Sequence, residues 1–128
     1  MPNYTKIILD LTRTQEERIQ AAFALENIAD ERSIEALARA LATDPSPIVR
    51  HECAFSLGET ACSSLAGPPL MKAVEEDIHI FVRHEALLAL GTLGDEKFIS
   101  FIEPFLHDRE AEIAESAEIA LQRLKHNP

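Results

Sequence analysis

Two histidine–glutamate dipeptides stand thirty-three residues apart in this chain, His51–Glu52 within IVRHECAFSLGE and His84–Glu85 within FVRHEALLALGT. An imidazole offers a nitrogen donor and a carboxylate an oxygen donor, so two such pairs brought to one point can hold a divalent transition metal with coordination positions left open. Two histidines with one carboxylate is the donor set of non-haem iron oxygenases, and zinc accepts the same donors. Residue types alone therefore say transition metal and no more. A solitary histidine on a wet helix is ordinarily just solvated, but a pair written twice in one register is not something packing requires. His79, His107 and His126 have no matching partner and read as a helix-start residue, a loop residue and a tail residue. The acidic runs KAVEED and REAEIAESAE read as solvated helix faces.

The elements that must carry these pairs are helices, and they repeat. Aligning Leu25, Leu57, Leu90 and Leu121 superposes RIQAAFAL, RHECAFSL, RHEALLAL and AESAEIAL at separations of 32, 33 and 31 residues. A period of that length marks stacked helix pairs. Asp44, Asp77 and Asp108 recur just before a first helix, and ADERSIEALARAL is answered by GDEKFISFIEPFL between helices. The pattern predicts first helices over about 14–28, 47–60, 80–93 and 110–124, and second helices over about 32–43, 65–76 and 97–106. Pro45, Pro47, Pro68, Pro69 and Pro104 fall near helix starts or in the less regular second helices. The expected fold is all-α, a single domain over 1–128 shaped as a HEAT-like α-solenoid of about four helix-pair repeats, at about 12–43, 44–76, 77–107 and 108–125.

At about 100° per residue, Val49, Cys53, Ser56 and Leu57 share one side of their helix, as do Val82, Ala86, Ala89 and Leu90. That side is the core, so His51 and His84 project away from it with Glu52 and Glu85 alongside. Stacking turns equivalent positions into columns. One reads Ile19, His51, His84, Glu115, and the next Gln20, Glu52, Glu85, Ser116. A third, one turn further along each helix, reads Phe23, Phe55, Leu88, Ile119 and is apolar throughout on a face that should be wet. Such a strip marks a partner or subunit contact. Neighbouring helices about 8–10 Å apart suit imidazoles converging on one ion.

Composition narrows the classes. With a net charge of −10 and 46% hydrophobic residues, the chain reads as an acidic globular protein. It lacks the surplus of Lys and Arg that binding nucleic acid demands. No apolar run is long enough to span a bilayer, and MPNYTKIILDLTRTQEER lacks the pattern of a signal peptide, so a cytoplasmic location is expected. Cys53 falls where sibling repeats carry Ala21 and Ala86, and Cys62 falls in a loop, which is no disulfide framework.

The segments VRHECAFSLGE, FVRHEALLALGTLGD and EIAESAEIALQRL resemble one half of deoxyhypusine hydroxylase, a HEAT-repeat di-iron monooxygenase that finishes the hypusine side chain of a translation factor. The resemblance runs over all four repeats. In that family two halves, each with two His–Glu motifs, face each other across the iron pair. It implies His51, His84 and Glu85 as ligands of ferrous iron, with Glu52 either nearer the substrate amine as a catalytic group or a further ligand. This chain has one such half. The opposing half is expected from a second copy in a twofold homodimer, joined through Phe23, Phe55, Leu88 and Ile119, which would make the centre di-iron. The expected substrate is a protein or another amine-bearing molecule. The rival reading is a non-catalytic HEAT-repeat scaffold or bilin-lyase-like module that holds a protein on the same face, and a third is a zinc hydrolase.

Overall fold

The computed structural model describes residues 2–126 and, among them, only helical elements. They are α1 (Tyr4–Leu9), α2 (Gln15–Ile28), α3 (Glu31–Thr43), α4 (Pro47–Glu59), α5 (Ser63–Glu76), α6 (Ile80–Leu93), α7 (Ile99–Ile102) and α8 (Ala111–His126). Local chemistry explains most of these starts. Thr14 and Glu17 form a reciprocal capping box at α2, Asp30 accepts from the Ser33 N–H at α3, and Ser46 caps α4 ahead of Pro47. At the C-terminus of α6, Gly94 takes a left-handed φ of 74°, which a glycine adopts without steric cost.

The helices form two layers. In one layer α2, α4, α6 and α8 pack side by side in order, and behind them α1, α3 and α5 do the same. Between the layers lie Leu25, Leu37, Val49, Leu57, Leu70, Leu87, Leu90 and Ile113, all buried. The α-solenoid expected from the repeat is thus what the chain forms.

Two features set the register of the first layer. The first is a ladder of arginine–aspartate pairs across repeat boundaries. Arg18 Nε donates to Asp44 at 2.8 Å, Arg50 Nε to Asp77 at 2.9 Å, and Arg83 Nη2 to Asp108 at 3.4 Å. Each aspartate also accepts a backbone N–H two residues on, from Ser46, His79 and Glu110. Arg50 and Arg83 directly precede the two histidines, so the ladder clamps the backbone where the motifs begin. The second feature is a pair of close crossings. A Cβ on Gly58 would lie 2.8 Å from the Ala89 Cβ, and one on Gly91 would lie 2.9 Å from the Ala120 Cα. Only glycine lets α4 meet α6, and α6 meet α8, at this distance.

The structure departs from the sequence expectation in two places. A short helix, α1, precedes the first repeat, buries Ile8 and closes the open end of the core against α2 and α3. The second helix of the third repeat, expected as one piece, is broken into a 3-10 turn at Glu96–Phe98, the four-residue α7, and a second 3-10 turn at Glu103–His107. Pro104 stands at the start of that last turn and has no N–H to continue an α-helix.

Candidate metal centre

The faces of α4 and α6 turned away from the core carry side chains of the same kinds in the same order, apolar, histidine, glutamate, apolar. Ile48, His51, Glu52 and Phe55 run along α4, and Phe81, His84, Glu85 and Leu88 along α6. Both histidines and both glutamates are half-buried, and the buried side of each helix is formed by the residues expected there, Val49, Cys53 and Leu57, and Val82, Ala86 and Leu90. Burial pushes the Cys53 thiol far up, so that cysteine stays protonated as a small core residue.

Contacts at the motifs run from each histidine to the next repeat. His51 Nε2 lies 3.2 Å from Glu85 Oε1, and its Nδ1 lies 4.0 Å from Glu52 Oε1. The hydrogen bond with Glu85 raises the His51 imidazole above its ordinary pKa; partial burial opposes this, and the charges of Glu85 and Glu52 add to it. His84 makes the equivalent step forward, but α8 carries serine where α6 carries Glu85, and His84 Nδ1 hydrogen-bonds Ser116 Oγ. The structure thus brings together His51, Glu85 and, less closely, Glu52, and directs His84 Nδ1 to α8. Among the described residues, no group of three or more His, Cys, Asp or Glu side chains is already gathered as a metal site.

The donor set nonetheless fits a divalent metal. Two donors each about 2.0–2.2 Å from one ion and at right angles around it are about 3 Å apart. The 3.2 Å between His51 Nε2 and Glu85 Oε1 matches that spacing. His84 has Nδ1 occupied by Ser116 and, among the described residues, no hydrogen bond at Nε2; metal-ligating histidines characteristically engage their other nitrogen in this way.

The apolar column flanks these groups: Phe23, Phe55 and Ile119 are exposed and Leu88 is half-buried. A second apolar row escaped the sequence reading. Ile48 and Phe81, 56% and 58% exposed, lie one turn before the histidines. The motifs therefore sit between two apolar rails. Their shared register, thirty-three residues apart like the motifs, was the signal that could have found them. The roles of Arg50 and Arg83, and of Ser116, were likewise implicit in the repeat.

The fold and the repeat register define a class. The profile of HEAT repeats matches residues 5–77 and 40–122, and the chain belongs to the HEAT-repeat family. Within it, the sequence is similar to deoxyhypusine hydroxylases. It is 35% identical over 123 residues to deoxyhypusine hydroxylase-B of Oryza sativa subsp. japonica, covering 94% of this chain and 40% of that protein. It is 34% identical over 127 residues to the deoxyhypusine hydroxylase of Danio rerio, covering 98% and 41%. The solved structure of human deoxyhypusine hydroxylase in complex with glycerol superposes with a TM-score of 0.89 at 32% identity, over 96% of this chain and 42% of that one. The CpcE–CpcF complex of phycocyanin lyase from Nostoc gives 0.71 at 25% identity, over 98% and 52%. The chain spans about two fifths of the length of the hydroxylases it matches.

Proposed function

We propose that this protein holds ferrous iron through His51, His84 and Glu85, and acts in the cytoplasm as an oxygen-activating monooxygenase of the deoxyhypusine hydroxylase kind. The observation that carries the reading is the approach of His51 Nε2 to Glu85 Oε1 at 3.2 Å across a repeat boundary, in a chain similar to those hydroxylases over nearly its whole length. A bound ferrous pair would supply two of the four electrons that dioxygen takes up, the substrate C–H bond supplying the other two. The chain's own residues do the rest. His51 and Glu85 present two donors at the spacing of adjacent ligands, and His84 offers Nε2. Glu52 stands 4.0 Å from the His51 ring, where its carboxylate can take the ammonium of an amine-bearing substrate or join the ligands. The rails of Ile48 and Phe81 on one side and Phe23, Phe55, Leu88 and Ile119 on the other keep water from the polar strip once covered.

A second copy of the chain covers the strip in this reading. Face-to-face pairing of two apolar-railed strips about a twofold axis buries the exposed apolar side chains and brings two sets of donors together, which makes the centre di-iron. The test is oxygen transfer. Iron-loaded protein mixed with a deoxyhypusine-bearing protein and isotopically labelled dioxygen should place one labelled oxygen on the amine side chain, and Glu52→Gln should lose that transfer while keeping iron. An iron-loaded dimer that transfers no oxygen to such an amine overturns the monooxygenase reading.

The likeness to the phycocyanin lyase complex favours one other reading, a module that holds a protein partner on the same strip without catalysis. That reading requires partner binding that persists in His51→Ala and His84→Ala.

A further inference from the structure

Ser116 is completely buried, and its single hydroxyl proton is committed. The hydroxyl donates to the backbone carbonyl of Glu112, one turn back in α8, the usual bond of a helical serine. The same oxygen is in hydrogen-bond contact with His84 Nδ1. Were Nδ1 unprotonated, two acceptors would compete for one proton, and the hydroxyl oxygen would face either the ring nitrogen or the carbonyl lone pair against lone pair at hydrogen-bond distance. With the proton on Nδ1, His84 donates to Ser116, Ser116 donates to Glu112, and every group is satisfied.

From this we infer that Ser116 is a positioning residue that locks neutral His84 as its Nδ1–H tautomer, with the Nε2 lone pair directed away from α8. Its consequence for metal binding rests on the reading of His84 as a ligand. The free amino acid in water favours the opposite tautomer, with the proton on Nε2, where the lone pair a metal needs is blocked. The serine removes that cost before any ion arrives. The two histidines of the repeat are thus prepared differently. His51 meets a carboxylate of the next helix, whereas His84 meets a hydroxyl that can only accept from it. The column Gln20, Glu52, Glu85, Ser116 ends in a serine, whose hydroxyl orients the last histidine.

Nitrogen NMR of the metal-free protein, at a pH where the ring is neutral, reads the tautomer directly; His84→Gln assigns the signal by its disappearance. Wild type should show Nδ1–H alone. Ser116→Ala, which removes one oxygen from a helix already rich in alanine, should shift His84 toward the Nε2–H form, and Ser116→Thr, which keeps the hydroxyl, should restore Nδ1–H. Anaerobic titration with ferrous iron should then show affinity roughly 10- to 100-fold weaker in Ser116→Ala and near wild type in Ser116→Thr. A wild-type ring in the Nε2–H form, or a Ser116→Ala variant with an unchanged tautomer, overturns the inference. An unchanged iron affinity in Ser116→Ala overturns its consequence for the metal. If wild type binds no iron while the tautomer responds as described, the role of Ser116 stands and the iron reading falls.

Discussion

Gly58→Ala tests whether the helix crossing, and not the motif alone, makes the site. The added Cβ would sit 2.8 Å from the Ala89 Cβ and 2.9 Å from the Ala89 Cα. Carbon atoms in contact rest at about 3.5–4.0 Å, so α4 and α6 must part by about 0.7–1.2 Å. Alanine returns about 1 kcal/mol of helix propensity over glycine, and overpacking costs about 1–3 kcal/mol. The net loss is about 0–2 kcal/mol, a fall of a few degrees in Tm. The site should suffer more. His51 and Glu85 reach across this same pair of helices at 3.2 Å, and parting them by nearly 1 Å carries the two atoms beyond hydrogen-bond range. Thermal melting followed by circular dichroism gives the first quantity, and anaerobic ferrous-iron titration the second. The expected result is a mild drop in stability with an affinity loss of about tenfold or more. A variant that melts like wild type and binds iron like wild type would refute the idea that the glycine crossing sets the spacing of the donors.

Three other outcomes follow from the same structure. Arg50→Met removes the cation from a pair whose Asp77 side chain is only 6% exposed; the stranded carboxylate should cost about 3–5 kcal/mol in denaturant unfolding, and adding Asp77→Asn should recover much of it. If the apolar rail joins two copies, Phe55→Glu and Leu88→Glu should turn a sedimenting dimer into a monomer by setting an unpaired charge against the contact, and a wild-type monomer would remove the proposed second face. Partial burial raises the Glu26 carboxyl pKa, with the charges of Glu59 and Glu52 adding to it and the Ser56 hydrogen bond opposing it. The folded state therefore holds that proton more tightly than the unfolded chain, and this contribution is present below the ordinary glutamate value and lost as pH rises through the raised one. Glu26→Gln should accordingly raise the Tm of metal-free protein at neutral pH, and the gain should vanish in acid; an equal gain at both would exclude ionisation as the cause.

The repeat made the solenoid legible because each helix pair must bury the same face against its neighbours. Leu25, Leu57, Leu90 and Leu121 fix the register, and from it the outward turn of His51 and His84 and the apolar column follow by angle alone. Angle does not give rotamer. That His51 reaches Glu85 while His84 bonds Ser116 depends on side-chain torsions and on how closely α4, α6 and α8 approach, which the small residues at Gly58, Ala89, Gly91 and Ala120 decide. α1 was hidden for another reason. Six residues are too short to display a helical period, and Tyr4–Leu9 is held by burial of Ile8 rather than by a pattern of its own. The broken segment around α7 kept its apolar spacing, with Phe98 and Ile102 both buried, so periodicity could not reveal that Pro104 had cut the helix.

Iron content is the most direct measure of the central claim that the paired motifs are a metal site. Protein purified without a chelating tag, loaded anaerobically with ferrous iron and freed of excess, should carry about one iron per chain by elemental analysis. His51→Ala and His84→Ala should each lose it, because the donors that remain hold a labile ion poorly. Full iron retained by both variants would contradict the claim and place the metal, if any, elsewhere on the chain.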